Sequence, residues 1–493
     1  MPCLQSARMT IDHRQSDTPP RVDRDPPAGF TAAERLGVAA ILGGAFMVVL
    51  DFFIVIVALP SIQRELGATP AMLGLVVAAY AAATASGLVA GGRLGDRFGR
   101  KATFLVGLAC FTAASVGCGL ARSPAELVTL RVLQGLAGAL VQPQVLALLG
   151  AGFAGRKRAR VFAWYAMAMG VAGVLAQVLG GLVIELDLGG LGWRGCFLIN
   201  LPIGGLGLLL AARAVQETPR QPALAMDLPC SALLGATLGL LVLALTAGRE
   251  AGFPPWALAA LALAAASAAA FAWHERRLGR NGQLGLVPAR LLAAPGFGRG
   301  ALAVLLFYSA VASLYFVLGL HLQQTLGLTP MMSGGVFAVL GAAFFAASML
   351  GARVPVSRRV ACMVGGAALA AAGHLWQLLA HAAFPGATGM VPGLIAEGAG
   401  IGMVMAPLLA AVLATAPAAD AGVAAGILAT MQQVGNALGV AAISSVRALG
   451  APDPATAVAP SGFSLSMLYL AAVCSVLGVA LWRGRERRLR ASV

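Results

Sequence analysis

The sequence predicts an all-α integral membrane protein of fourteen spanning helices, with both termini in the cytoplasm. Three observations predict it. First, 59% of the 493 residues are apolar and 11% are charged; soluble domains carry about 25% charged residues, so this chain cannot cover itself with a water-compatible surface. Second, its apolar residues form long uninterrupted runs rather than alternating ones. A hydrocarbon core of about 30 Å takes about 20 such residues per helix, and helices satisfy their own backbone there. Third, Lys and Arg are abundant in every second connection: 28 of the 34 lie on the side shared by the termini, five lie on the other, and Arg131 falls inside a span. Basic loops mark the cytoplasmic side, so the net charge of +15 is a signal of topology and not of nucleic-acid binding.

The elements follow in order. Residues 1–33 are polar, lack the apolar core of a signal peptide, and read as a disordered cytoplasmic tail. Spans begin near residues 36, 72, 101, 126, 160 and 195, and residues 34–217 form a first six-helix bundle. Spans near 228 and 255 make a pair, 218–274, followed by a cytoplasmic linker over 275–299 rich in Arg and Gly. Spans near 300, 331, 360, 390, 424 and 464 make a second bundle over 300–483, and 484–493 is a basic tail. The seven cysteines are dispersed without disulfide or metal-ligand spacing.

Between helices 2 and 3 stands Gly92-Arg-Leu94-Gly-Asp96-Arg97-Phe-Gly99-Arg100-Lys101. As a basic turn it obeys the positive-inside rule. Its glycines also permit a tight connection, and Asp96 can meet a helix N-terminus or an arginine, a latch that breaks as two bundles rock. The string resembles the loop signature of the major facilitator superfamily. Leu50-Asp51 through Ala58-Leu59-Pro60, Arg131 with Gln134-Gly135, Trp193-Arg194 with Asn200-Leu-Pro202, and Ala421-Gly422 through Gly439 are similar to motifs of its fourteen-helix drug:proton antiporter branch. The likeness covers about residues 36–483 and implies two six-helix bundles, an inserted helix pair, and a central cavity. It assigns conformational gating to Gly92, Asp96, Arg97, Gly99, Arg100 and Lys101. The chain departs from the family at two places. Phe53 and Ile56 stand where Thr and Asn are usual, and helix 5 reads Gly170, Gly173, Ala176-Gln177, Gly180-Gly181 without the family's Gly-Pro pair.

The connection after helix 10, Gly351-Ala-Arg353 to Arg358-Arg359, looks like a decayed copy of the helix 2–3 loop. Helices 9–14 then repeat helices 1–6, an arrangement with a midplane site between repeats.

A charge at membrane depth costs about 2.5–3.5 kcal/mol on insertion scales and marks a partner or a wet cavity. Asp51 lies roughly 22 Å up helix 1 and Arg131 at a similar height on helix 4. Glu397 on helix 12 and His321 on helix 9 fall in the same outer third. Helices 1, 4, 9 and 12 line the cavity in the family, so the expectation is one layer of four ionisable groups, with Asp51, and second Glu397, exchanging protons. The alternatives are a static Asp51–Arg131 pair, an interfacial His321, and packing or interfacial roles for His374 and His381. Phe52, Phe53, Tyr308, Tyr315, Met403 and Met405 are candidates to hold an apolar or cationic guest. Gln177 either faces the cavity or makes an interhelical hydrogen bond.

No nucleophile constellation, metal cluster, or phosphate loop points to an enzyme, and no cofactor or metal is expected. The expected partners are a small-molecule substrate, protons and the lipid bilayer, with the protein acting as a monomer. The leading function is proton-coupled efflux of amphipathic, cationic compounds across a bacterial plasma membrane. An exporter dedicated to one endogenous metabolite or lipid is the alternative, and a receptor or scaffold is the reading outside transport.

Overall fold

The structure, a computed structural model, describes residues 29–218, 228–281, 291, 294, 296–384, 386–416, 421–450 and 461–491. The expected N-terminal tail up to residue 28, and residues 282–290, 292, 293 and 295 of the 275–299 linker, lie outside them. Fourteen described helices are long and apolar enough to cross a membrane: α1 Ala32–Leu66, α2 Pro70–Phe98, α3 Arg100–Leu120, α4 Pro124–Gly152, α5 Gly155–Leu186, α6 Gly192–Ala214, α7 Pro229–Gly248, α8 Pro255–Arg280, α9 Phe297–Thr325, α10 Pro330–Gly351, α11 Arg359–Ala383, α12 Ala387–Leu413, α13 Val423–Leu449 and α14 Gly462–Arg483. Fourteen crossings return the chain to the side where it began, here called the termini side; the opposite is the far side.

Helix starts are set by side chains that satisfy orphan backbone donors. Thr31 and Glu34 form a reciprocal capping box at α1. This start lies inside the segment read as a free tail, and Phe30 beside it packs against Phe153 and Trp164. At α2 and α10 the same device appears twice. Gly67-Ala-Thr69-Pro70 and Gly327-Leu-Thr329-Pro330 each place a left-handed glycine, φ 64° and 66°, before a Thr N-cap and a Pro in the first turn. These two strings are a clearer trace of the internal repeat than the loop after α10.

The main helix contacts follow the repeat. The α1–α5 contact recurs as α9–α13, α2–α4 as α10–α12, α3–α4 as α11–α12, and α3–α6 as α11–α14. The halves join through α2 with α13 and through α5 with α10, two contacts that exchange under the same relation. Small residues allow the close approach: a Cβ on Gly91 of α2 would sit 2.2 Å from the Ala139 carbonyl oxygen of α4, and one on Gly398 of α12 would sit 2.1 Å from that of Leu340 on α10. The inserted helices α7 and α8 pack on each other, and α7 lies against α2.

Candidate functional site

In the N-terminal half, five helices converge on one carboxylate. Asp51 (α1) and Arg131 (α4) are both fully buried and form an ion pair through Asp51 Oδ2 and Arg131 Nη1. Asp51 Oδ1 accepts from Gln134 Nε2 and from Asn200 Nδ2, each at 2.8 Å. Gln134 lies three residues along α4 from Arg131, hence on the same face, and its Oε1 accepts from the guanidinium at 2.7 Å. Asn200 on α6 also donates to Ser115 Oγ of α3 at 2.9 Å. Arg131 Nε donates to the Val76 carbonyl of α2 at 3.1 Å, and its guanidinium lies 4.1 Å from the centre of the Tyr80 ring. Two atoms of the cluster, Arg131 Nη2 and Asn200 Oδ1, have no hydrogen-bond partner. The arrangement holds an anion firmly, because three charged or amide donors replace the water that Asp51 has lost.

The structure brings Asp51 and Arg131 together, but it does not assemble the expected layer of four. Glu397 lies wholly inside the C-terminal half, where its Oε1 is 2.8 Å from His374 Nδ1 of α11. His321 is near the far-side end of α9, stacked on Phe463 with ring centres 3.7 Å apart and 5.2 Å from His381. Height along a helix placed these groups at one depth, but direction around each helix axis gives them separate partners within their own halves. His374, read as packing or interfacial, is the partner of Glu397. Sequence reasoning does not single out Gln134 and Asn200 as carboxylate-holding groups, nor Ser115 as the acceptor that positions Asn200; the three-residue spacing from Arg131 to Gln134 is the available signal.

The substrate candidates also divide. Phe53 (α1) and Tyr315 (α9) meet across the two halves at 4.9 Å, and Tyr315 stacks on Phe337 of α10 at 5.2 Å. Tyr308 is half-buried on α9 beside Phe307. Gln177 makes the interhelical bond, its Nε2 donating to the Phe53 carbonyl at 2.8 Å, while its buried Oε1 stays unpartnered. Phe52 instead turns into the N-terminal bundle toward Tyr80, and Met403 packs between α12 and Gly366 of α11; neither faces the junction of the halves. Met405 is half-buried, seven residues beyond Gly398 and therefore on the helix face that meets α10.

Among the gating residues, Asp96 pairs with Arg100 one turn on, at 2.9 Å, and Arg100 also reaches the Ala147 carbonyl of α4. Lys101 Nζ donates to the Ala212 carbonyl of α6 at 2.7 Å. Gly99 has φ 107°, and a Cβ there would meet the carboxylate of Glu217 at 2.6 Å. Glu217, just past α6, accepts from the backbone N–H groups of Lys101 and Ala102 at 2.9 and 3.1 Å, capping α3 where the loop offers no side-chain cap of its own. Gly92 abuts Pro143 of α4, and Arg97 is exposed with its guanidinium over Phe98.

The halves are joined on the far side. Gln323 of α9 donates to the Val57 carbonyl of α1 at 2.9 Å, and Gln324 to Gln63 at 2.6 Å. Glu185 at the end of α5 accepts from Thr329 Oγ1 at 2.9 Å and from the Met331 N–H at 3.3 Å, so a carboxylate from one half caps a helix of the other. The N-terminus of α2 is capped in the same way by Glu250, with the same pair of distances to Thr69 and Ala71.

Comparison with known proteins agrees with this geometry. The chain is 35% identical over 446 residues to a probable actinorhodin transporter of Streptomyces coelicolor, covering 89% of this chain and 76% of that one. It is 31% identical over 415 residues to the multidrug resistance protein Stp of Mycobacterium tuberculosis, covering 82% and 74%. The human organic anion transporter structure superposes with a TM-score of 0.61 at 18% identity, covering 93% of this chain and all of that one, and supports the fold alone. The protein is therefore a multi-pass protein of a bacterial plasma membrane, of a family of transporters rather than enzymes. Residues 41–440 match the model of the Major Facilitator Superfamily, and the chain belongs to that family.

Proposed function

We propose that the protein exports amphipathic, cationic drugs or toxic compounds from the cytoplasm by alternating access, driven by inward proton movement. The observation that carries the proposal is the sealed Asp51–Arg131 pair with its two amide donors, held between spanning helices. Protonating Asp51 removes the charge that Arg131, Gln134 and Asn200 are arranged to hold, and leaves a buried guanidinium short of an anion. Breaking such a pair costs about 3–5 kcal/mol, so the helices carrying these groups must rearrange. Protonation is thereby linked to movement of α1, α4 and α6. The basic connections favour a cytoplasmic termini side, and the far-side bonds between the halves support an arrangement closed to the exterior. Phe53 and Tyr315, at the junction of the halves, offer ring faces that suit apolar or cationic guests.

A second reading is an exporter dedicated to one endogenous compound. Phe53 and Ile56, apolar where the family is polar, favour it, as does a relative named for a single compound, actinorhodin. The test is ethidium transport into proteoliposomes under an imposed pH gradient, comparing wild type with Asp51→Asn. Gradient-driven accumulation by the wild type, lost in the variant, is the expected result. Accumulation unchanged in the variant removes Asp51 from coupling, and none in the wild type favours the dedicated exporter.

A further inference from the structure

The C-terminal half holds a second buried ionisable pair whose chemistry differs from the first. Glu397 is fully buried and His374 nearly so. His374 lies fifteen residues into α11, as Ser115 lies fifteen residues into α3, so the repeat puts an imidazole where the N-terminal half has a hydroxyl beside its carboxylate cluster. Asp51 is held by a group that keeps its proton at any ordinary pH and by two amides at 2.8 Å. Glu397 has one strong partner, and that partner can itself gain or lose a proton. Its other neighbour, Gln377 Nε2, is 3.5 Å from Oε2 and is shared with the Met390 carbonyl, a weak hold.

Among the described residues, the further titratable group found against the pair is Cys474 of α14, which meets the imidazole. From α9 the neighbours are apolar, among them Phe307 and Ala310, and from α10 Leu340 and Ala343 adjoin the next residue, Gly398. His374 and Cys474 also line a cavity of about 20 Å³ enclosed by α9, α11, α12 and α14, room for one water molecule. Its other lining residues, such as Ala367, Ala370 and Val404, lie on the termini side of the pair along α11 and α12.

We infer that Glu397 and His374 form a second proton-binding site, confined to the C-terminal half, with room for one water molecule beside the imidazole, which works independently of Asp51. With the pair as carboxylate and imidazolium, uptake forms an O–H bond on Glu397; loss of the imidazolium proton leaves a neutral ring beside the carboxylate. Each step moves one proton and no other atom. The site supplies a proton-carrying element that remains whether or not Asp51 couples transport.

The experiment is an infrared difference titration of the purified full-length protein in lipid nanodiscs, between about pH 4 and about pH 10, with no substrate present. Wild type and Asp51→Asn both show a carboxyl change that is absent from Glu397→Gln and an imidazole change that is absent from His374→Gln. His374→Gln also moves the Glu397 midpoint, because the two groups titrate as a pair. A Glu397→Gln spectrum identical to that of the wild type overturns the proposal, as does loss of both signals in Asp51→Asn. If Glu397→Gln does not fold, Glu397→Asp, which shortens the reach to His374, must move the carboxyl midpoint; an unmoved midpoint overturns the proposal equally. The titration does not depend on ethidium transport, so failure of the Asp51 coupling reading leaves its outcome intact.

Discussion

Removing Arg131 while keeping Asp51 is the most informative single change in the N-terminal half. Arg131→Met leaves a fully buried carboxylate with only Gln134 and Asn200 as donors, and a lost partner in a buried pair costs about 3–5 kcal/mol. Asp51→Asn leaves the guanidinium with the Gln134 Oε1 at 2.7 Å and the Val76 carbonyl at 3.1 Å, both neutral acceptors, and is expected to cost somewhat less. The double variant carries no buried charge at the site, and replacement of a whole buried pair by uncharged groups is often close to neutral. The cycle therefore predicts that the second substitution recovers about 2–3 kcal/mol of the first one's loss, measured by reversible unfolding in mixed detergent micelles. Ethidium transport in the same four proteins separates structure from coupling. A double variant that is stable but no longer gradient-driven is the expected outcome. Additive losses in stability refute the energetic argument, and gradient-driven transport by the stable double variant shows the pair to be a static tie between helices.

Other consequences follow from particular contacts. Gly398→Ala pushes a Cβ to within 2.1 Å of the Leu340 carbonyl oxygen and should cost about 1–3 kcal/mol, whereas Gly335→Ala, with open space around it, should stay within about 0.5 kcal/mol of wild type in the same unfolding assay. Glu217→Ala removes the carboxylate that caps α3, with an expected loss of about 1–3 kcal/mol and faster tryptic cleavage at Arg97, Arg100 and Lys101. Glu185→Gln weakens the cap that one half places on α10 of the other by about 0.5–1.5 kcal/mol. Spin labels at the far-side ends of α5 and α10 should then report a larger share of wide separations, and an unchanged distance distribution argues against a latch.

The sequence by itself determined the class and the number of spans, because these depend on a quantity read along one dimension, the length of apolar runs. All fourteen expected span starts fall within five residues of the observed ones. It also named Asp51 and Arg131, since a charge inside an apolar run is conspicuous without any partner. Tertiary structure alone decided the partners. Height along a helix is legible from residue number at 1.5 Å per residue, and so Asp51, Arg131, His321 and Glu397 looked like one layer. Direction depends on how each helix is rotated against its neighbours, set by close approaches such as Gly91 on Ala139 and Gly398 on Leu340. That rotation put Gln134 and Asn200 on Asp51, gave His374 to Glu397, turned Met403 away from the junction of the halves, and left His321 stacked on Phe463.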